Sequence, residues 1–378
     1  MKRADTMLMK EINLNAVRQT LKRKESATKP QLSAETGLSV VTVAALVREL
    51  AERGELTEEE AGPSTGGRPA TVYRYDYQHS LALVMHLHEQ GGVDTVFASV
   101  VDLRGEELGR DVQVFDDLDE ASALDWIEGL LLAWPGVRTV AIGIPGQAVD
   151  GTIEVSSHER LIGLRPAQLI GDRFGLPVQL ENDVNAALQG WLADKSEAGA
   201  SRAAETDPAG TSNEADEEDE ANEAGQPDEA DEAENGSGIV LGLYFPEKYP
   251  PGLAISIDGR TVAGKKGMAG EIKYLPLGID WSRPPQGAAF DEAACKLAHT
   301  AAVLLAPERI VLYGTRTEQA SWSGVWKAYV DRHPLPAEPD LRWSGQFAEH
   351  FAAGMRELAL KALEPKLPYA QIGRESGD

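Results

Sequence analysis

Apolar residues at the start of the chain recur with helical spacing. The segment NLNAVRQTLKRK predicts a helix over 13–24 with one apolar face and one basic face. After Lys29-Pro30, a short second helix carries Leu32 and ends at Gly37, a residue suited to a left-handed cap. Two helices are therefore expected before residue 38.

A third helix is predicted in the run VVTVAALVRELAERG, where Ser39 is placed to act as its N-terminal cap. Val43, Val47 and Leu50 recur at i, i+4 and i+7, which puts them on one buried side. Two helices joined by a tight turn at Gly37, with a packing helix before them, form a helix-turn-helix. The alternative is an ordinary three-helix subdomain that packs on another surface.

The last helix of a helix-turn-helix enters the major groove of DNA with its N-terminal residues facing base edges. The residues that this geometry assigns to DNA are Ser39, Val40, Val41, Thr42, Ala45 and Arg48. Small apolar and threonine side chains can contact thymine methyl groups, whereas Arg48 can bond to a base edge or a phosphate. Double-stranded DNA is thus the expected partner of this surface.

Two β-rich segments, over 55–57 and 70–75, flank the loop EEEAGPSTGGRPA and suggest a wing. Gly66 and Gly67 would permit a close approach to the DNA backbone, and Pro69 would stiffen the exit of the loop. Arg68 supplies a guanidinium that fits a phosphate or a narrow groove. Together with the three helices, this pattern predicts a winged helix-turn-helix.

Strand-like and helical runs alternate in the rest of the chain. The expected strands are LALVMHL, TVFASVVDL, RDVQVF, 137–144, 177–180 and PERIVLYG; the expected helices lie over 121–133, 164–174, 297–306 and 347–363. A βββαβα order from residue 81 onward indicates an α/β domain.

The charge of the chain is unevenly distributed. The whole sequence carries −25, yet residues 196–237 hold fifteen acids and one base, whereas residues 1–54 hold ten bases and six acids. The acidic stretch has almost no large apolar residue, so we expect a disordered insertion. It is either a tolerated expansion of a surface loop or an acidic competitor of DNA for a basic surface. The N-terminal 54 residues, part of the winged helix-turn-helix that we call the head, are therefore mildly basic, although the chain as a whole is acidic.

The amino-acid composition argues against a disulfide-stabilised, metal-binding, secreted or membrane protein. The single cysteine, Cys295, excludes an intrachain disulfide framework and a cysteine-rich metal cluster. With His299 four residues later it could bind a metal, but a buried thiol on a helix is the alternative, and we expect no metal site. No run of about 18 apolar residues and no secretion signal occurs, which predicts a cytoplasmic protein without a membrane partner.

Several motifs together resemble the ROK family of bacterial repressors, which share an ancestor with sugar kinases. The motifs are NxxxVRQxL, LSxxTGLSxxTVxxLVxEL and GGRPA in the head, followed by GIPGQAVDG, GLPVQLENDVNAAL and KGMAGEIKYLPL in the body. The resemblance covers roughly 11–193 and 238–315. It implies an α/β body of the two-lobed, actin-like ATPase (ribonuclease H-like) class behind the winged helix-turn-helix.

The resemblance also implies a sugar site. In the kinase members, the aspartate of the ENDxN motif is the general base, and the adjacent asparagine and the glutamate of AGE hold hydroxyls; here these are Asp183, Asn182 and Glu271. A carboxylate and an amide at a strand end can satisfy two hydroxyls of a polyol. The alternative is that Asp183 only caps the following helix.

The parts that a kinase needs for ATP are missing from the sequence. The first phosphate loop is replaced by LVMHLHEQGG, without the expected acid and threonine, and the second by LYFPEKYPPG. Prolines lack the amide donors that a phosphate loop uses. Tyr274 stands where the family has a zinc-binding histidine, and the cysteines of that site are absent. We therefore expect no cofactor and no catalytic activity.

The expected organisation has four segments. These are a winged helix-turn-helix domain over 1–78, the first part of the body over 79–195, the acidic insertion over 196–237 and the second part of the body over 238–378. The expected function is repression of carbohydrate-uptake or carbohydrate-metabolism genes by a homodimer or higher homo-oligomer, with a sugar as possible effector. The alternatives are a sugar kinase with an added head, and an interaction protein whose body has lost both ligand and catalysis.

Overall fold

The head consists of three helices and a small antiparallel sheet. The computed structural model describes residues 2–60, 71–90, 92–205, 238–314 and 319–364. The elements of the head are α1 (Lys2–Lys24), β1 (Ser26–Thr28), α2 (Lys29–Thr36), α3 (Val40–Glu52), β2 (Leu56–Glu60) and β3 (Thr71–Tyr75), with strand order β1-β3-β2. The expected second and third helices and the two β-rich segments are present, and β1 is an additional strand.

Helix α1 starts eleven residues before the expected Asn13, at Lys2. Met7 and Met9 are largely exposed, so these two apolar residues do not mark a buried face in the sequence. Its Lys, Met, Leu and Glu residues favour a helix by intrinsic propensity instead. From Leu14 onward the apolar face packs against α2, α3 and the sheet in a core of its own.

The first lobe of the body contains a mixed five-stranded sheet with order β10-β7-β4-β5-β6. Its elements are β4 (Leu81–Gln90), β5 (Val93–Val101), β6 (Glu107–Val114), α4 (Glu120–Ala133), β7 (Val137–Ile144), a hairpin of β8 (Gly146–Val149) and β9 (Thr152–Ser156), α5 (Pro166–Phe174) and β10 (Val178–Asn182). Every residue from Leu81 to Leu87 is buried, which explains the continuous apolar run of this central strand. The βββαβα order is confirmed, with the β8–β9 hairpin inserted.

The second lobe repeats this architecture with a sheet of order β13-β12-β11-β14-β15. Its elements are α6 (Asp183–Glu205), β11 (Ile239–Tyr244), β12 (Gly252–Ile257), β13 (Arg260–Thr261), α7 (Ala288–Leu305), β14 (Arg309–Tyr313), α8 (Gln319–Arg332), β15 (Asp340–Ser344) and α9 (Phe347–Leu363). The strand PERIVLYG and the helix over 347–363 thus lie where they were expected.

Helices α6 and α9 cross between the two sheets. The core around them includes Val84 from the first sheet and Val311 from the second. Two glycines allow the helices to approach closely where they cross. A Cβ on Gly190 would lie 2.0 Å from the carbonyl oxygen of His350, and a Cβ on Gly354 would lie 1.9 Å from the carbonyl oxygen of Ala186. Because no side chain fits at either position, the two backbones meet directly.

The acidic insertion begins differently from the prediction. Helix α6 continues to Glu205, so residues 196–205, which were expected to be disordered, are helical. This stretch contains several Ala and Glu residues, which favour extending a helix that has already formed. The remaining part of the predicted insertion, 206–237, lies outside the described residues.

No single helix in the described part of the chain is long and apolar enough to cross a membrane. Helices α2 and α3 reach the required length and apolarity only when taken together, and they are bent by 112° relative to each other.

Candidate functional sites: a helix face and an acidic cleft

The N-terminus of α3 is fixed by a side-chain cap. The Ser39 hydroxyl accepts a hydrogen bond from the backbone N–H of Thr42 at 3.1 Å, and the two hydroxyls lie 2.8 Å apart. Gly37 has a φ of +70° and donates its N–H to the Ser33 carbonyl, which ends α2 in the left-handed conformation. The N-cap at Ser39 and the left-handed C-cap at Gly37 determine the turn between α2 and α3, as the sequence predicts.

One face of α3 is buried and the other is open to solvent. Val43, Leu46, Val47 and Leu50 are buried in the core of the head. The opposite face carries the predicted DNA-contacting residues: Val41 is 81% and Val40 49% exposed, Ala45 and Arg48 are exposed, and Thr42 is half-buried. Two valines that face water make no contribution to the core, so this face is available to a partner.

Arg48 is held only loosely on this face. Its Nε lies 3.9 Å from Oε1 of Glu52, one turn further along α3, and the two side chains are 77% and 70% exposed. An exposed pair at this distance contributes little to stability. Arg48 is therefore free to reorient toward a phosphate or a base edge.

The predicted wing residues Gly66, Gly67 and Arg68 lie outside the described residues. The two strands that flank them are described, and they pair in antiparallel register up to Glu60 opposite Thr71. Residues 61–70 therefore connect the paired ends of a hairpin.

A buried ion pair ties α1 to the strand that leads into this hairpin. Arg18 donates to both carboxylate oxygens of Glu55, at 2.6 and 2.7 Å, and also to Oδ1 of Asn15 at 2.7 Å. The side chains of Arg18 and Glu55 are only 4% and 10% exposed. This bidentate contact fixes α1 relative to β2.

The body contains a cleft between the two lobes, where β10 leads into α6. Asn182 is the last residue of β10, and its Oδ1 accepts hydrogen bonds from the backbone N–H groups of Val184 and Asn185, both at 3.0 Å. Its Nδ2 donates to the Gly146 carbonyl at 3.0 Å and to Oδ1 of Asp183 at 2.9 Å. All four hydrogen-bonding positions of Asn182 are thus used inside the protein. Asn182 is the cap of α6, rather than the Asp183 named in the alternative interpretation.

Asp183 faces the cleft beside this cap. Its Oδ1 accepts from the backbone N–H of Val184 at 2.9 Å and from the amide of Asn182. Burial, reinforced by the negative charge of Glu271, outweighs these hydrogen bonds and raises the pKa of Asp183 to about 7. The pKa of Asp183 therefore lies well above that of an exposed aspartate.

Glu271, the third predicted ligand residue, lines the same cleft from the segment between β13 and α7. The preceding Gly270 has a φ of +86°, and a Cβ there would lie 1.8 Å from the Leu253 carbonyl, so only glycine brings the chain this close to β12. Oε2 of Glu271 lies 3.4 Å from Nζ of Lys273. Asn182, Asp183 and Glu271 are therefore gathered in one place, as the motifs imply.

The opposite wall of the cleft is a cluster that the sequence analysis did not identify. The Tyr249 hydroxyl donates to Oδ2 of Asp94 at 2.8 Å, and Nε2 of His158 lies 3.2 Å from the same oxygen. The Lys248 ammonium donates to the Gly92 carbonyl at 2.6 Å. These contacts join the segment between β11 and β12 to Gly92 and the start of β5, and we call Gly92, Asp94, His158, Lys248 and Tyr249 the loop clasp. Asp94 and Tyr249 are 155 residues apart, so no local sequence pattern predicts their contact.

The residues considered for a metal lie elsewhere. Cys295 is buried, which raises the pKa of its thiol to about 12, and Nε2 of His299 lies 3.0 Å from the His333 carbonyl. In the described part of the chain, no group of three or more His, Cys, Asp or Glu side chains is placed to hold a metal ion. Tyr274 is 70% exposed beside the cleft.

Comparison with known proteins adds a sequence relationship. The xylose repressor of Caldicellulosiruptor bescii is 24% identical over 200 residues, which cover 50% of this chain and 49% of the relative. The xylose repressor of Bacillus spizizenii gives a match of similar extent, at 23% identity. The chain spans about half the length of the curated relatives it matches. No protein-family model matches the sequence.

Solved structures show the same relationship at the level of the fold. A ROK family transcriptional regulator described as a homologue of the E. coli MLC protein superposes with a TM-score of 0.57 at 16% identity, covering 94% of this chain and 98% of the other. The chain resembles the ROK family transcriptional regulators. A ROK family protein of Streptococcus pneumoniae in complex with sucrose gives a TM-score of 0.53 at 14% identity, over 75% of this chain and 98% of the other. The expected ROK resemblance and the mixed α/β body are thus confirmed.

Proposed function

We propose that this protein is a DNA-binding transcriptional repressor whose head is a winged helix-turn-helix and whose ROK-like body responds to a sugar. The observation that carries the proposal is the capped helix α3, with an open face of Val40, Val41, Ala45 and Arg48 beside a β-hairpin. A helix held rigidly by a buried apolar side and open on the other side can enter a major groove. The wing residues Gly66, Gly67 and Arg68 would contact the DNA backbone beside it.

A head of this kind binds DNA more tightly when two copies are linked in a dimer. One helix-turn-helix makes few base contacts, and two linked heads on half-sites about 34 Å apart bind far more tightly than one. We infer a homodimer or higher homo-oligomer that acts in the cytoplasm on an operator. Genes of carbohydrate uptake or metabolism are the proposed targets, because the matched relatives are xylose repressors.

DNA binding is tested by titrating the full chain into labelled promoter fragments from its own locus at several salt concentrations. We expect specific binding that weakens with salt, because Lys and Arg contacts to phosphates release counterions. Arg48→Ala should weaken binding to the operator, with a cost of about 1–3 kcal/mol if Arg48 reads a base. Arg68→Ala should weaken binding to all sequences alike and reduce the salt slope by about one.

The matched control is Arg110→Ala, because Arg110 is an exposed arginine on β6 of the body that pairs with the nearby Glu107. It removes the same charge from β6 of the body, outside the head, and binding should be unchanged. Undetectable or salt-insensitive binding would refute the proposal, and an equal loss for Arg48→Ala and Arg110→Ala would remove α3 as the reading surface.

For the body, we propose a sugar effector in the cleft that holds Asp183 and Glu271. These two carboxylates accept hydrogen bonds from hydroxyls, and one ROK structure of similar fold contains sucrose. A thermal-shift screen of pentoses and hexoses, beginning with xylose, tests this. A sugar at about 100 times its dissociation constant adds about 2.7 kcal/mol of stability. The shift should disappear in Asp183→Asn; no shift with any sugar would favour a body that has lost its ligand.

We also propose that the body does not transfer phosphate. What supports this is the segment with Lys248, Tyr249 and two prolines, which the sequence resemblance aligns with a phosphate loop whose backbone amides would contact ATP. A coupled ATPase assay across hexoses should show no turnover. Turnover that Asp183→Asn abolishes would instead establish the alternative, a sugar kinase with an added head.

A further inference from the structure

An apolar cavity that is partly open to solvent lies in the first lobe, next to the cleft, and Leu87 lines both. It measures about 410 Å³ and lies between the first sheet, α4 and α5. Met85 and Ile142 line it from the sheet, Ala123 and Ile127 from α4, and Leu169 from α5. None of the other cleft residues described above belongs to its wall.

Small-molecule sites in proteins are concave and mostly apolar, with volumes of about 300–1,000 Å³. An apolar cavity of about 150 Å³ stays dry and binds benzene. The cavity of this chain is more than twice as large, which suits two fused aromatic rings or an aliphatic chain of similar volume.

The polar groups at the rim are already engaged. The Arg160 guanidinium donates to the carbonyls of Phe115, at 3.3 Å, and Leu118, and it stacks on the Phe115 ring at 4.9 Å. Asp119 caps α4 by accepting the N–H of Ser122 at 2.8 Å. His86 also lines the cavity, and its Nδ1 is buried without a hydrogen-bond partner, whereas the rest of the wall offers mainly apolar contact. A molecule without charge loses least on entering such a space.

Most of the chain outside the described residues has the wrong composition to fill the cavity. Residues 61–70 read AGPSTGGRPA, and residues 206–237 contain no large apolar side chain. Residues 365–378 do contain Leu367, Tyr369 and Ile372. They follow Glu364, which lines a pocket with Lys22 and Tyr75 of the head rather than the cavity.

We propose that this cavity is a second ligand site, which binds an uncharged, apolar small molecule of about the size of naphthalene. The site is independent of the proposed DNA and sugar functions, because its walls share no residue with α3 or with the acidic pair of the cleft.

The test is a fluorescence titration of the full chain with N-phenyl-1-naphthylamine, an uncharged probe that brightens in apolar surroundings. We expect saturable binding to one site. Ala123→Phe places a ring in the cavity and should weaken binding at least tenfold. Ala121→Phe is the matched control, because Ala121 is an exposed position of the same helix outside the cavity wall. Binding to Ala121→Phe and to Asp183→Asn should equal that of the unmodified chain.

Leu169→Phe fills the cavity from the facing helix and replaces Ala123→Phe if that variant does not fold. A measurement on the unmodified chain gives an independent readout, since saturating naphthalene should raise its melting temperature. Absence of saturable probe binding, absence of that thermal shift, or full binding by a folded filling variant would each overturn the proposal. Binding seen only after removal of residues 365–378 would do so too, because it would identify that segment as the occupant.

Discussion

The helix face of the head and the cleft of the body use their side chains in opposite ways. On α3, the side chains of Val40, Val41, Ala45 and Arg48 project into solvent, while the buried face and the Ser39 cap hold the helix in place. In the cleft, Asn182 is fully engaged in capping α6, and Asp94 accepts a hydrogen bond from Tyr249, with Nε2 of His158 3.2 Å away. Exposed side chains of α3 that do not stabilise the fold can contact a partner. The polar side chains of the cleft, in contrast, also stabilise the fold.

The two regions can be followed separately, because all seven tryptophans lie beyond the head. Tryptophan fluorescence reports the body, while far-UV circular dichroism reports both. Comparing the two signals during urea unfolding therefore distinguishes damage to the head from damage to the body.

The largest effect is expected from Arg18→Met. It leaves the Glu55 carboxylate buried without its bidentate partner, which costs about 3–5 kcal/mol. The circular dichroism transition of the head should move to lower urea concentration, while the fluorescence transition stays in place.

The double variant Arg18→Met with Glu55→Leu should recover much of this loss, because replacing both members of a buried pair by apolar groups is often neutral. The exposed Arg48→Met serves as the control and should change stability by less than about 0.5 kcal/mol. A shift of both signals together would show that head and body unfold as one unit.

Gly354→Ala should act on the body in the converse way. The added methyl group meets the Ala186 carbonyl and forces α9 away from α6, at a cost of about 1–3 kcal/mol. The fluorescence transition should move to lower urea concentration.

The control is Gly129→Ala, because Gly129 lies in α4 with open space around its Cα, and alanine should stabilise that helix by up to about 1 kcal/mol. Equal effects of the two substitutions would show that the α6–α9 contact is not tight.

A pH effect should distinguish the cleft from the rest of the molecule. The pKa of Asp183 rises on folding from about 3.8 to about 7, so its contribution to stability is full below pH 4 and is lost as the pH rises through 7. Asp183→Asn should therefore gain stability relative to the unmodified chain between pH 4 and 7, as measured by thermal unfolding. Parallel curves would mean that Asp183 keeps an ordinary pKa.

The smallest effect is expected from Glu52→Gln. Losing the exposed contact with Arg48 should lower stability by less than about 0.5 kcal/mol. Operator binding should strengthen slightly, because the change releases Arg48 and removes a negative charge next to the DNA. A loss of affinity in the promoter titration would contradict this assignment.

Local signals in the sequence were sufficient for most elements. Gly37 and Ser39 mark the turn before α3 because a left-handed cap and a helix cap each depend on one residue and its immediate neighbours. Strand β7 and helix α9 have the predicted bounds, since each carries a strong apolar pattern. The gathering of Asp183 and Glu271 followed from motifs rather than from periodicity.

The structural features that the sequence did not predict depend on residues far apart in the chain or on weak sequence patterns. The three-residue strand β1 exists only because it pairs with β3, and the β8–β9 hairpin is too short to show a period. The loop clasp joins Asp94 to Tyr249 across the interlobe cleft, and neither residue is distinctive in its own segment. The start of α1 was missed because Met7, Met9 and Ile12 are exposed and so do not mark a buried face before Leu14.

The exposed valines of α3 have a consequence for how such a protein can diversify. Because Val40 and Val41 lie outside the core, substitutions there should change folding stability by no more than about 0.5 kcal/mol. A gene duplicate could thus acquire a new preference at this face through single neutral steps, without first accumulating compensating mutations elsewhere. At Gly190 and Gly354 the opposite holds, and lineages that explore new specificities should retain both glycines.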